Sequence, residues 1–345
     1  MRSYLGERTQ SFRVGDKLSE CHAVTCSVPQ GSVLGPQKFS AYTEEIITVL
    51  DNHEVHHHLY ADDTQASESF KVAEVAHACI KQAKLISDIS SWCSSRRLQL
   101  NAGKTEIAWF GSRHALDKIK TISRDVQVGP DTIKPVSVVR DLGVLLDSEL
   151  SMRDHVNMVV KTCFFHLRRL RPVRRSLGRE ITAQLVCSFV FTRLDYCNAT
   201  LAGLPDTTLV RLQRVQNAAA RLIMNLKYDD HVTPALIELH WLPIKSRIIY
   251  KLCILMYKVR CGICPEYLSD MVQFIPDMPN RGRLRSSHGL NFELPRLRTK
   301  FGERAFSYSG PSSWNSLPRD IQSSDNLDIF KRKLKTHLFK LAYNL

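Results

Sequence analysis

Apolar and polar positions repeat at two different periods along this chain. Near the start, Thr9-Gln10-Ser11-Phe12-Arg13-Val14 and Ala23-Val24-Thr25-Cys26-Ser27-Val28 flank a turn-rich Gly15-Asp16-Lys17, which predicts a hairpin over 8–28. Pro29 and Gly31 break regular structure, and Phe39 to Ile47 then reads as helix. Val55-His56-His57-His58-Leu59-Tyr60 predicts a strand that stops in a tight turn at Ala61-Asp62-Asp63 and returns through Thr64-Gln65-Ala66. Val75, Cys79, Ala83, Ile86, Ile89 and Cys93 recur at three- and four-residue spacing, the stripe of an amphipathic helix laid on a sheet. A turn and strand are expected over Leu98–Phe110, then a polar stretch of variable structure over 113–135 holding a small hairpin at Val126–Ile133.

Beyond residue 150 the period becomes helical. Ser151 with Asp154 offers a helix N-terminal signal. Val156, Val159, Val160, Cys163, Phe164, Leu167 and Leu170 form one apolar stripe, and Pro172 is expected to end or kink that helix. Further helices are predicted at 179–197, 206–226 and 233–260. A Pro- and Arg-rich stretch from about 265 precedes a final helix near Phe330–Phe339.

Composition changes the picture little, and charge changes it more. The 345 residues are 43% hydrophobic and 24% charged, ordinary for a globular protein of two or three domains. No uninterrupted apolar run reaches the roughly 18 residues that a membrane span needs. Met1 to Arg8 lacks the apolar core of a signal peptide. Ten cysteines without such a signal read as reduced thiols, so the expectation is an intracellular protein of nucleus or cytoplasm, neither secreted nor in a membrane. The net charge is +14, unevenly spread: residues 1–150 carry 17 Lys/Arg against 19 Asp/Glu, and residues 151–345 carry 31 against 15. That suits carboxylate chemistry in front and phosphate-backbone contact behind. On charge alone, a basic surface kept for solubility stays open.

Two adjacent carboxylates at a strand tip can hold a hard cation, because Mg²⁺ takes oxygen ligands, often one or two carboxylates plus substrate phosphates. An Asp-Asp pair is equally at home in a plain turn. Arg168, Arg169, Arg171, Arg174, Arg175 and Arg179 cluster at and beyond the end of the long apolar stripe, a composition suited to backbone contact that positions without specifying sequence. Cys261-Gly262-Ile263-Cys264 lacks a second pair at finger spacing, so zinc is not expected there. His56, His57 and His58 alternate between the two faces of a strand and cannot share one ion. Asp229-Asp230-His231 reads as an interhelical turn.

Three blocks then line up: Val28-Pro29-Gln30-Gly31-Ser32-Val33-Leu34-Gly35-Pro36, Tyr60-Ala61-Asp62-Asp63, and Leu98-Gln99-Leu100-Asn101-Ala102-Gly103-Lys104-Thr105-Glu106. In this order and spacing they resemble the later palm motifs of reverse transcriptases, most of all those of non-LTR (LINE-type, Jockey-like) retrotransposons. Gly302–Phe306, Trp314–Pro318 and Phe330–Phe339 resemble the tail of the same proteins, so the likeness covers nearly the whole chain. It implies an α+β fold. A partial reverse-transcriptase palm, an antiparallel sheet with packed helices, would occupy 1–150. A helical, basic, thumb-like domain would occupy 151–264, and a basic C-terminal region with a final helix 265–345.

The resemblance also implies an RNA-directed DNA polymerase that uses Mg²⁺ or Mn²⁺, an RNA template, a DNA primer and deoxynucleotides. Asp62 would be a direct metal ligand with Asp63 supporting it, and Tyr60 would pack near the primer end. Pro29, Gln30 and Gly31 would lie against the incoming nucleotide and template base. Lys104 resembles the motif lysine proposed as general acid for the pyrophosphate, a solvent lysine in a turn being its other reading. Val136–Asp147 resembles the primer grip. Arg168, Arg169, Arg171, Arg174 and Arg175 would meet the nucleic-acid backbone. Ser27 stands where the family commonly has Gly, and Gln37-Lys38 where it has two apolar residues.

No Phe-x-x-x-Phe-Asp-like stretch, which would carry the family's upstream palm aspartate, precedes residue 29. Two dications about 4 Å apart repel by roughly 4 kcal/mol even at the dielectric of water, so nucleotidyl transfer needs several carboxylates. The expectation is an N-terminally truncated reverse transcriptase, impaired alone. Its rivals are a polymerase completed by a missing piece, a non-catalytic nucleic-acid-binding remnant, and a chain left unstable by an exposed sheet edge.

Overall fold

The computed structural model of the chain describes residues 6–25, 31–122, 124–128, 131–275 and 289–345. Contacts divide it into two units, Met1–Ser137 and Val138–Leu345.

The first unit opens with the expected hairpin, built as two short ladders. β1 (Arg8–Gln10) pairs with β4 (His22–Val24), and β2 (Arg13–Val14) pairs with β3 (Lys17–Leu18) around Gly15 and Asp16. Two helices follow, α1 (Gly35–Thr43) and α2 (Ile46–Asn52). β5 (His56–Tyr60) and β6 (Asp63–Ser67) form the predicted hairpin. The helix α3 (Val75–Ser95) is the spine of this unit, but its stripe divides. Val75, Ala78, Cys79, Ala83 and Ile86 pack with Trp109, Ile119, Val126 and Ile133, whereas Leu85, Ile89 and Trp92 pack with Ile46, Leu50 and Val55. One helix thus carries two small cores on two sides. β7 (Val126–Val128) and β8 (Asp131–Ile133) make the small hairpin expected between 113 and 135.

Two local expectations are corrected. The stretch 98–110 is not a regular strand: its pairing is a single parallel bridge, Ala108 to Val136, with Val136 N donating to Ile107 O at 2.8 Å. The stretch after 112 is a helix, α4 (Arg113–Ile119), because Ser112 Oγ accepts from Ala115 N as an N-cap and Ile119 is buried in the core around α3. The antiparallel sheet expected here is present only as separate two-stranded ladders among the described residues.

The second unit starts with the hairpin β9 (Val138–Asp141) and β10 (Val144–Asp147). The carboxylate of Asp147 accepts from Ser151 N at 2.8 Å, Ser151 Oγ at 3.2 Å and Met152 N at 2.7 Å, and so fixes the start of α5 (Arg153–Val186). The helix signal assigned to Ser151 and Asp154 is therefore supplied mainly by Asp147. Buried His155 accepts from Leu145 N through Nδ1 at 3.4 Å, which ties β10 to the same turn. Pro172 does not end α5. It sits on the exposed side, as does Arg168 one turn before it, and the helix runs past it. The break comes at Gly178, at φ 70° and ψ −179°, a region essentially closed to side-chain-bearing residues. The helix expected at 179–197 becomes the end of α5 and a π-helical turn, Cys187–Phe191.

α6 (Asp206–Met224) lies against α5, and Val156, Cys163, Leu167, Leu212, Val215, Ala219 and Ile223 share one core. The helix expected over 233–260 is two, α7 (Thr233–Glu238) and α8 (Ile244–Arg260), separated by Trp241-Leu242-Pro243. Buried Gln216 donates to Leu242 O at 2.8 Å and Gln213 accepts from Ile244 N at 2.9 Å, so two glutamines hold that joint. The region 265–345 does not stand apart from the helices before it. α9 (Phe306–Asn315) and α10 (Leu327–Tyr343) share a core with α8: Met256, Tyr257, Phe292, Trp314, Phe330 and Leu334. Asn315 closes it by accepting from Phe292 N at 2.9 Å and donating to Phe292 O at 2.8 Å.

Two backbone predictions follow from α5. Pro172→Ala raises stability by up to about 3 kcal/mol, since an unbroken helix gains a bond. Gly178→Ala lowers it by about 1–3 kcal/mol through backbone strain. Urea unfolding midpoints read both, and the reverse ranking would place the break at Pro172. Trp314→Ala, removing a fully buried ring, costs about 3–5 kcal/mol on the same measurement.

Candidate nucleotidyl-transfer hairpin and basic helix

The register of β5 and β6 sets the tip. His56 faces Ser67, His58 faces Gln65, and Tyr60 faces Asp63, which leaves a two-residue loop of Ala61 and Asp62. Ala61 takes φ 54°, a left-handed conformation that costs a non-glycine residue about 1–2 kcal/mol. Tyr60, Asp62 and Asp63 are all exposed. Among the described residues neither tip carboxylate makes a side-chain ion pair or hydrogen bond, and no group of three or more metal-ligating side chains forms. Two hard oxygen donors in water suit a hard cation and leave most of its coordination sphere to other ligands.

The base of the hairpin is better anchored than its tip. Val55 packs with Leu50, Leu85 and Trp92. His57 turns inward, 3.8 Å from Asp51 and 3.3 Å from Val55 O, while His56 and His58 are exposed, as a strand period of two requires. His53 Nε2 meets Asp88 Oδ2 at 2.8 Å, joining α2 to α3. Tyr42 Oη donates to Arg96 O at 2.7 Å and Arg96 pairs with Glu45, so α1 and α2 are clipped to the far end of the same helix. None of these three clasps was singled out in the sequence. His53 and Asp88 are 35 residues apart, beyond any local signal.

Of the other expected site residues, Pro29 and Gln30 lie outside the described residues. Gly31 is exposed at φ 78°, just ahead of α1. Lys104 is exposed in a short 3₁₀ turn, Ala102–Lys104, and no hydrogen bond or ion pair joins it to the tip among the described residues. The structure thus brings Tyr60, Asp62 and Asp63 together and leaves Lys104 on a separate turn.

The arginines of α5 divide. Arg168, Arg169, Arg171 and Arg175 are exposed. Arg174 turns the other way: its Nε and Nη2 donate to Leu222 O and Ile223 O at 3.2 and 3.0 Å, capping the last carbonyls of α6. Arg179 pairs with Glu238 at 2.6 Å. Spacing alone could not reveal the role of Arg174, because its acceptors lie 48 and 49 residues downstream.

Cys264 Sγ lies 3.1 Å from Ser269 Oγ, and buried Cys253 has its thiol pushed up to about 12 by desolvation. The nine cysteines among the described residues are free thiols. No helix among the described residues is long and apolar enough to cross a membrane.

Comparison with known proteins meets the same residues. Residues 1–144 match the family model described as "Reverse transcriptase (RNA-dependent DNA polymerase)". The "Probable RNA-directed DNA polymerase from transposon BS" of Drosophila melanogaster is 24% identical over 239 residues, covering 66% of this chain and 25% of that protein. The "RNA-directed DNA polymerase from mobile element jockey" of the same organism is 25% identical over 164 residues, covering 46% of this chain and 17% of that protein. The chain therefore spans a quarter or less of the length of these relatives. No solved structure matches it. The matched segment contains the Pro-Gln-Gly block, the Tyr-Ala-Asp-Asp tip and the Lys104 turn, so residues 1–144 are similar to reverse transcriptases, those of the retrotransposon proteins BS and jockey among them.

Proposed function

We propose that this chain is the part of a retrotransposon RNA-directed DNA polymerase that carries the Asp62–Asp63 metal hairpin and a basic helical region for the template and primer. The observation that supports this most is the tip itself: two exposed carboxylates, Asp62 in the two-residue loop and Asp63 at the first position of β6, on a strand pair whose foot, Val55, packs against the Ile46, Leu50 and Leu85 core. Asp62 is the direct ligand of Mg²⁺ or Mn²⁺, and Asp63 supports it. Bound there, the divalent ions would activate the primer hydroxyl and stabilise the leaving oxygen. Tyr60, exposed beside the loop, packs against the primer end. Gly31, which has no side chain, lets the incoming nucleotide approach the backbone closely, and the family resemblance assigns Pro29 and Gln30 to the same contact. Lys104 hands a proton to the departing pyrophosphate, and its turn must come to the tip for that step.

Residues 1–137 make the palm portion and α5 begins the thumb. Arg168, Arg169, Arg171 and Arg175 neutralise phosphates of the RNA template and DNA primer. Arg174 is withdrawn from that set, because both its donating groups serve α6.

Two carboxylates offset only part of the repulsion between two dications, so turnover requires a further oxygen donor. The chain on its own therefore binds primed template and extends it slowly or not at all. A non-catalytic nucleic-acid-binding role is the second reading, favoured by the absence of a third metal-ligating side chain at the tip among the described residues.

Primer extension on a primed RNA template with Mg²⁺ and with Mn²⁺, beside Asp62→Ala, separates the readings. Extension that vanishes in Asp62→Ala supports the polymerase. Retention of the primed template without extension supports the binding role, and failure of both defeats the proposal. For the helix, each of Arg168→Ala, Arg171→Ala and Arg175→Ala reduces the salt dependence of template binding by about one unit of slope. Arg174→Ala leaves that slope unchanged and lowers the unfolding free energy by about 1–3 kcal/mol.

A further inference from the structure

The second unit exposes an aromatic ladder that the polymerase reading does not use. The rings of Phe165 and His166 lie 5.4 Å apart at 77°, and His166 stacks on Phe189 at 5.2 Å and 10°. Phe165 is 46% exposed and Phe189 39%, and the ring contacts through His166 make them one contiguous patch, the arrangement that marks contact sites. Phe189 reaches that surface because it lies in the π-helical turn Cys187–Phe191, whose Cys187, Ser188 and Phe189 are exposed in succession. Single π turns inside helices occur frequently at functional sites.

The charge beside the rings is positive. The Arg169 guanidinium carbon lies 5.6 Å from the centre of Phe165. Arg193 is held next to Phe189 by donating from Nη1 to Phe189 O at 2.8 Å. Arg168 is exposed one helical turn from Phe165. Burial first, then Arg193 and Arg169, lower the His166 imidazole from its ordinary value, which favours the uncharged ring. Arg169 lies over Phe165, and His166 and Phe189 cover one face of each other, so half-exposed rings sit among cations; that pairing matches the chemistry of unpaired nucleic acid, whose bases stack on aromatic groups while its phosphates meet arginines. A paired duplex keeps its bases stacked inside and offers these rings nothing comparable.

We propose that Phe165, His166 and Phe189, with Arg168, Arg169 and Arg193, form a stacking platform for an unpaired stretch of nucleic acid. The site binds single strands without sequence preference and is independent of the metal hairpin. In a polymerase it would hold template or displaced strand outside the duplex.

The test is fluorescence anisotropy on the full chain without nucleotides or divalent ions, using a labelled adenylate strand of about 12 nucleotides and the same strand annealed to its complement. Phe165→Leu with Phe189→Leu keeps apolar bulk and removes the flat faces. It is expected to weaken single-strand binding about tenfold or more and duplex binding little. Arg169→Gln is expected to weaken single-strand binding and lessen its salt dependence. Both phenylalanines are exposed, so an unchanged unfolding midpoint confirms that the variant is folded. Should the fold be lost, Phe165→Leu alone is read on the same assay. Undiminished single-strand binding in the leucine variants overturns the proposal. So does an equal loss for strand and duplex, or capture of phosphatidylserine vesicles with no strand binding at all.

Discussion

Two carboxylates adjacent in sequence, Asp62 in a two-residue loop and Asp63 just after it, repel each other, and water or a cation must relieve them. The fold leaves Asp62 and Asp63 in solvent and spends nothing of its own on them. Around this choice the first unit is arranged as a stand. α3 carries two small cores; one of them holds Val55 at the foot of β5, and the other holds the β7–β8 hairpin. The clasps of His53 with Asp88 and of Tyr42 and Glu45 with Arg96 fix the helices that precede the hairpin. A rigid base and a bare tip are what a metal-dependent site needs if its remaining ligands come from substrate.

In the second unit the same economy governs positive charge. A buried guanidinium must find acceptors or pay for lost hydration. Arg174 finds the terminal carbonyls of α6, Arg247 finds Asp195, and Arg260 finds Gln322 O. Among the described residues, Arg168, Arg169, Arg171 and Arg175 on the outer face of α5 donate to no internal oxygen and stay exposed. Neutral amides do the remaining internal work: Gln213 and Gln216 hold the Leu242 joint, and Asn315 closes the aromatic core around Trp314.

Much of this was legible in residue order alone. The β5–β6 hairpin, the long helix after 75, the small hairpin at 126–133 and the stripe from Val156 to Leu170 follow from periodicity, because burial on one face leaves a repeat in the sequence. So does the likeness to reverse transcriptases, carried by the Pro-Gln-Gly, Tyr-Ala-Asp-Asp and Lys104 motifs within residues 1–144. What escaped detection has a common cause in interactions across distance. Asp147 caps a helix from the preceding strand, so local signals pointed to Ser151. Gly178 rather than Pro172 breaks α5, since Pro172 lies on the exposed side of the helix and Gly178 takes φ 70° and ψ −179°. Arg174 looked like its neighbours until its acceptors on α6 were seen. The separate ladders of the first unit also differ from the continuous sheet that the family resemblance implied.

The central claim is that the Asp62–Asp63 tip binds a divalent cation, and Mn²⁺ titration followed by electron paramagnetic resonance tests it without requiring turnover. The account predicts that the chain takes up Mn²⁺ in the presence of a deoxynucleoside triphosphate, and that Asp62→Asn abolishes the uptake while the unfolding midpoint stays put. Equal Mn²⁺ binding by the wild-type chain and Asp62→Asn would contradict it, and would make the hairpin a turn and no more.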